Sequence, residues 1–211
     1  LGFLDLSSKL VDIDTKHSER EGRPISCRKG CGACCRQLVP LSPPEAWLMA
    51  DLVASLPSAR QGEVRAAFDA SLVRLSESPL RRLFEGAELA PEAVLPTSIE
   101  YFQLGISCPF LKDDACSIHP QRPSICREYL VTSPAENCGV LGTAPIARVP
   151  VHVRLSEALS NVTARVLGTA PEVVPMPFVL TWAEEHREEG QQRFDPRLLM
   201  ETLFEELGRR G

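Results

Sequence analysis

The sequence lacks any run approaching the ~20 apolar residues that span a bilayer, which excludes a membrane-crossing helix and a membrane partner. It also lacks an excess of positive charge. There are 23 Lys and Arg against 28 Asp and Glu, for a formal net charge of −5, and no basic stripe. Nucleic acid is therefore not an expected partner. No Gly-rich phosphate loop, Ser–His–Asp arrangement or HExxH motif is present, and no internal repeat is visible at any period. No secretory signal is in view, so the expected location is cytoplasmic, although a start at Leu1 rather than Met leaves room for an upstream segment. From about residue 150 onward there is no cysteine.

What the chain has instead is a concentration of thiols. Its 211 residues contain eight cysteines, four of them in the nine-residue stretch Cys27-Arg28-Lys29-Gly30-Cys31-Gly32-Ala33-Cys34-Cys35. Gly30, Gly32 and Ala33 leave little bulk between the thiols, and glycine permits the left-handed turns that curl a short loop around one centre. Thiolates this dense repel each other unless a cation is shared among them, as a metal ion or an iron–sulfur cluster provides. The remaining four are Cys108, Cys116, Cys126 and Cys138. A disulfide framework is the competing reading, since eight cysteines allow on the order of 100 pairings. Three features oppose it: a chain long enough to build a core without staples, no signal peptide in view, and adjacent Cys34-Cys35, awkward for two unstrained bridges.

Around these blocks the pattern is mainly helical. Residues 1–26 mix Leu4, Leu6, Leu10, Val11 and Ile13 with charges and suggest a short packing helix, with 17–22 as a solvated lead into the cysteine loop. Residues 36–41 read as extended. Ser42 as N-cap, prolines in the first turn and Glu45 as capping-box partner open a helix that Pro57 stops. A second helix spans about 58–76, with Val64, Phe68, Leu72 and Leu75 inside, so the two form a helical hairpin. Residues 77–97 carry four Pro or Gly breakers and read as loop. Phe110-Leu111 and 115–118 flank a Lys112-Asp113-Asp114 turn as a small β-hairpin, with Cys108 just before it and Cys116 in its second strand. Pro123 starts a short helix carrying Cys126. Further helices are expected over 156–166, over 178–189 and after Asp195-Pro196. The fold class is α+β, mostly α: an irregular cysteine-rich metal core with a small hairpin, packed by the helical hairpin and C-terminal helices.

The chemistry leaves several arrangements open. Tetrahedral zinc takes four ligands at about 2.3 Å from sulfur, so eight thiolates could close two zinc sites. Four could equally hold a 4Fe–4S cluster, the rest forming a second centre or staying free. Cys34 and Cys35 point apart on an extended backbone, and therefore serve two centres, or include one bystander, unless a turn brings both inward. Cys27-x3-Cys31-x2-Cys34 has the spacing of radical S-adenosylmethionine enzymes, but no βα repeats accompany it, and Ala33 stands where that group places an aromatic. His119, three residues after Cys116, is a weaker candidate ligand, expected at the surface or capping a turn. His17, His152 and His186 have no ligand spacing. Arg36, Arg122 and Arg127 flank the cysteines, either offsetting thiolate charge or pairing with Glu128 and other carboxylates.

Gly30-Cys31-Gly32-Ala33-Cys34-Cys35-Arg36, then Cys108-Pro109-Phe110-Leu111, Cys116, Arg122-Pro123 and Cys126-Arg127-Glu128-Tyr129, resemble the CxxCxxCC cysteine-cluster family of zinc- or iron-chelating domains. The first spacing here is three residues rather than two, and His119 replaces a frequent aromatic. The resemblance covers roughly 23–140. It implies a metal-binding domain over that range with a helical insertion at about 43–76, preceded by an extension at 1–22 and followed by a helical extension at 141–211. It implies zinc or iron, or an iron–sulfur cluster, as cofactor, with Cys27, Cys31, Cys34, Cys35, Cys108, Cys116, Cys126 and Cys138 as the metal-ligand candidates. The domain also occurs in flagellin lysine N-methylases, and other members are labelled iron–sulfur oxidoreductases by analogy. An Fe–S-dependent redox or methyl-transfer enzyme, or a metal chaperone, is therefore the alternative to a chelating domain.

Overall fold

The Ser42-Pro43-Pro44-Glu45 signal seats the helix at the centre of the molecule. In the computed structural model, which describes residues 2–85 and 91–208, Ser42 caps helix α2 (Pro43–Ser55). Its N–H at 3.3 Å and its hydroxyl at 2.7 Å both donate to the Glu45 carboxylate. Pro57 then separates α2 from α3 (Ser58–Ser76). Val64, Phe68 and Leu75 of α3 are buried and Leu72 is half-buried. The two helices pack on each other as the apolar spacing predicts.

The main core lies on these helices. Ala46, Met49 and Val53 of α2 meet Val64 and Phe68 of α3, together with Phe110 and Ile118. The last two flank the small hairpin of β2 (Leu111–Lys112) and β3 (Ala115–Cys116), antiparallel with Leu111 opposite Cys116. Asp113 and Asp114 form its turn with φ of 51° and 55°. Positive φ at both central residues matches the right-handed twist of the flanking strands, and Asp tolerates it. Phe68 and Phe110 meet edge to face at 5.7 Å and bind the hairpin to α3. Cys108 and Cys116 pack against this same core.

A second core joins α1 (Gly2–Arg20), α6 (Leu155–Leu167) and α9 (Pro196–Gly208). Leu155, Ala158, Leu159 and Val162 of α6 and Leu203 of α9 are buried there, with Phe3, Leu6 and Leu10 against them. The sequence suggested a short N-terminal helix and a solvated 17–22. The helix instead runs 19 residues, and Ser18 is buried with its hydroxyl donating to Arg23 O at 2.6 Å. Asp195 caps α9 through a 2.9 Å bond from Arg197 N–H.

Two further expectations are corrected, and a third gains a partner. The segment read as loop contains a 3₁₀ turn (Pro79–Glu85) and most of helix α4 (Pro91–Gln103), which ends at the Tyr101–Ile106 part of a third small core. Pro91 stands in the first turn, where proline is tolerated, and the helix accepts Pro96 without its amide bond. The part of that loop over 86–90 lies outside the described residues. The helical run expected over 178–189 is divided at His186 into α7 (Val179–Glu185) and α8 (Arg187–Gln191). There the imidazole stacks on Trp182 at 4.3 Å and its Nδ1 lies 2.9 Å from Trp182 O. Finally, the extended piece after Cys35 becomes β1 (Pro40–Leu41), paired antiparallel with an unforeseen β4 (Val174–Pro175). No described helix is long and apolar enough to cross a membrane.

Candidate metal centre

The two cysteine blocks are brought together by backbone contacts. Ser26 N–H donates to Val131 O at 2.8 Å, pinning the start of the first loop to the chain beyond α5 (Ser124–Glu128). Within the loop, Gly30 takes φ +89°, and Cys31 N–H bonds to Arg28 O at 3.1 Å. Cys35 N–H bonds to Gly32 O at 3.0 Å, and Cys108 N–H reaches Cys35 O at 2.7 Å. The last bond joins the blocks directly. Gly32 lies so close to the hairpin turn that a Cβ there would sit 2.4 Å from Asp114 O, which no side chain can occupy without moving backbone. Arg36 pairs with Asp114 at 3.2 Å across the same junction.

Cys34 sits where cysteines of both blocks approach one another. The residues around Cys34-Cys35 form a turn rather than an extended strand, and the two thiols are hydrogen-bonded to each other. The turn removes the extended geometry that would point the two thiols apart. Cys27, Cys108, Cys116, Cys126 and Cys138 each feel the charge of Cys34, while Cys31 acts on Cys27 and Cys138. All eight are free thiols, so no disulfide framework forms. Cys138 is buried in a 3₁₀ turn (Ala135–Gly139) and the other seven are half-buried. Among the described residues, no three His, Cys, Asp or Glu side chains are already closed into a metal cage.

Without a cation, six of these thiols are held in their protonated forms. The bond to Cys35, then burial and the Cys35 charge, push the Cys34 thiol far above its usual range. Burial, reinforced by Cys116 and Cys34, pushes Cys108 up to about 12. Burial also raises Cys27, Cys116, Cys126 and Cys138. Yet the surroundings supply groups suited to thiolates. Backbone amides of Val131, Phe110 and Ile118 bond to Cys27, Cys108 and Cys116 and favour their charged forms. The Tyr129 hydroxyl does the same for Cys138.

The arginines divide their tasks. The Arg122 guanidinium acts on Cys27, Cys34, Cys116 and Cys126, and its buried Nε has no partner among the described residues. A buried donor without an acceptor is costly, and a charged sulfur centre would supply the acceptor. Arg127 is not paired with Glu128. Its three nitrogens go to Arg122 O at 2.9 Å, Pro120 O at 2.6 Å and Ser8 Oγ at 2.8 Å. Glu128 instead accepts from Ser156 N–H and Oγ at 3.0 and 2.6 Å, holding the start of α6. His119 opens a 3₁₀ turn (His119–Gln121), half-buried, and burial beside Arg122 and Arg127 holds its imidazole below the usual value, hence neutral.

Two positioning contacts escaped sequence reading. Glu45, fully buried, uses its second oxygen to accept the Ser124 N–H at 2.6 Å, so the cap of α2 also holds the first residue of the helix bearing Cys126. Gln37 Nε2 donates to Tyr129 Oη at 3.2 Å and Cys138 O at 3.3 Å, tying Cys138 to the first block. Tyr129 was within reach of the sequence, as the end of the Cys126-Arg127-Glu128-Tyr129 run. The reach of Glu45 was not, because 79 residues separate it from Ser124.

A mostly helical chain that gathers eight free thiols from two distant blocks is a cysteine-cluster domain. The chain belongs to the CxxCxxCC family, described as a putative zinc- or iron-chelating domain, whose model matches residues 26–139. That range takes in every cysteine. No curated protein matches the chain, and no solved structure does.

Proposed function

We propose that the protein chelates zinc or iron through its two cysteine blocks, with Cys27, Cys31, Cys34, Cys35, Cys108, Cys116, Cys126 and Cys138 as the ligand pool. The observation that carries this reading is the approach of the two cysteine blocks, with Cys108 N–H bonded to Cys35 O and the buried Arg122 Nε unpartnered among the described residues. Thiolates are soft ligands suited to zinc and iron–sulfur centres, and eight suffice for two four-sulfur centres. When bound, the metal would neutralise the sulfur charge. The chain's own part is to hold the sulfurs: the 108–116 hairpin presents two, the helix held by Glu45 a third, the glycine-bearing loop four more and the Ala135–Gly139 turn the eighth. Residues 23–140 form the metal unit on this reading, and a reducing cytoplasm suits thiols held free of disulfides. An iron–sulfur centre serving redox or methyl-transfer chemistry is the finer alternative within the same ligand pool.

Anaerobic purification followed by metal analysis and an absorption spectrum tests the proposal. A colourless protein with stoichiometric zinc, or a brown one with iron and sulfide, is expected. A folded chain carrying neither metal, with eight titratable thiols that take up no added zinc or iron, overturns it.

A further inference from the structure

Away from the cysteines, α1 and the stretch before α6 bring a second set of metal-ligand side chains together. Asp14 is 4 % exposed, and its Oδ1 lies 2.6 Å from His152 Nδ1. A buried carboxylate in that position keeps the proton on Nδ1 and leaves Nε2, on a ring 65 % exposed, as a free electron pair. His17 crosses the same imidazole with 5.8 Å between centroids and 74° between planes. Glu21 lies one helical turn beyond His17, with its Oε1 at 3.3 Å from His17 Nε2. The Arg23 hydrogen bond first, then nearby His17 and, least, His152, hold the Glu21 carboxyl below its usual range. Two imidazoles and a carboxylate, one pair of them at i and i+4, are the ligand types of a three-ligand divalent site with an open position. The three are not closed on one point, and Arg23 is hydrogen-bonded to Glu21. Closure requires His17 and Glu21, whose side chains are 55 % and 44 % exposed, to rotate and Glu21 to release Arg23.

We propose that His17, Glu21 and His152 form a second divalent-metal site, of nitrogen and oxygen ligands, with Asp14 as the positioning residue that fixes the His152 tautomer. Imidazole nitrogens with a carboxylate suit Ni²⁺ and Zn²⁺, and Ni²⁺ distinguishes this set from thiolates, which select Cu⁺, zinc and iron–sulfur centres. The site is independent of the cysteine blocks and does not rest on their holding metal.

The test is a titration of the full, untagged chain with Ni²⁺, followed by calorimetry and by the imidazole NMR signals of His17, His119, His152 and His186. These signals report the site whether or not the thiols are occupied. One equivalent is expected to bind and to broaden His17 and His152 selectively. His152→Ala and Glu21→Gln should each weaken binding at least tenfold, with circular dichroism checking that both variants keep the fold. Asp14→Asn keeps all three ligands and should weaken binding about 10-fold while shifting the His152 tautomer in the metal-free protein. Equal affinity in the wild type and a His17→Ala/His152→Ala double variant overturns the proposal. Broadening of His119 and His186 to the same degree, or release of a cysteine-bound metal in step with Ni²⁺ uptake, does so too.

Discussion

At the scale of single residues, Cys34 and Arg122 carry the candidate centre. Replacing a ligand thiol by serine exchanges a soft anion for a hydroxyl that stays protonated at neutral pH. Cys34→Ser and Cys126→Ser should therefore give metal-deficient protein, read as metal per chain by elemental analysis. Full occupancy in both would refute a centre shared by the two blocks. Arg122→Met should keep the ligands but lower metal affinity by about 10–100-fold, the range for lost outer partners. Metal-free protein should also show a distinctive alkaline response. In the folded chain Cys27, Cys34, Cys108, Cys116, Cys126 and Cys138 ionise above the ordinary value of 9.0, Cys108 at about 12. The unfolded chain therefore releases its protons first as pH rises. Stability from these groups is complete below pH about 9 and is lost through the window above it. Thermal unfolding of apo protein between pH 7 and 10 checks this, and a midpoint that rises past pH 9 would contradict it. The eight cysteines were legible directly, because their clustering is local in sequence. The Arg122 role was legible only as one of two alternatives, since flanking charge does not say which partner a guanidinium faces.

At the scale of elements, the buried Glu45 joins two helix starts that sequence reading treated separately. The capping box at Ser42 was legible because its two members are three residues apart. The Ser124 bond was not, because it depends on how α5 docks. Local signals likewise gave α3, the Asp113-Asp114 hairpin and the Asp195 cap. They failed where the deciding contact is distant, as for β1 with β4, or where breakers were over-weighted, as for α4 with Pro91 and Pro96. Glu45→Ala would strand the Ser124 N–H in a buried position, a loss of about 1–3 kcal/mol. A urea denaturation series at pH 7 should show that drop. A change no larger than that of an exposed control such as Glu185→Ala would mean the two helix starts are not coupled through this carboxylate. Because α5 carries Cys126, the same variant should also bind metal more weakly.

At the scale of the whole molecule, the hydrophobic cores divide the labour. The α1, α6 and α9 core contains no cysteine. The main core has Cys108 and Cys116 packed against it, and the small cluster of Val11, Leu130 and Val149 has Cys27. A metal bound by both blocks would close the long segment between Cys35 and Cys108 and so restrain the unfolded chain, and its binding energy would add to folding. Stripping it should then be felt unevenly. Amides at the cysteine loop, the hairpin and α5 should exchange much faster after chelation. Those of α6 and α9 should retain most of their protection, because Leu155, Leu159, Val162 and Leu203 bury their apolar surface without help from sulfur. The Glu128 bonds to Ser156 are the path by which loosening would spread, so the first turn of α6 should respond before its last. Hydrogen exchange followed by mass spectrometry, on loaded and chelated protein, reads all three regions at once. Equal protection in both forms would mean that metal does not hold the blocks together. Collapse of α9 along with the cysteine loop would instead show that the two cores unfold as one cooperative unit.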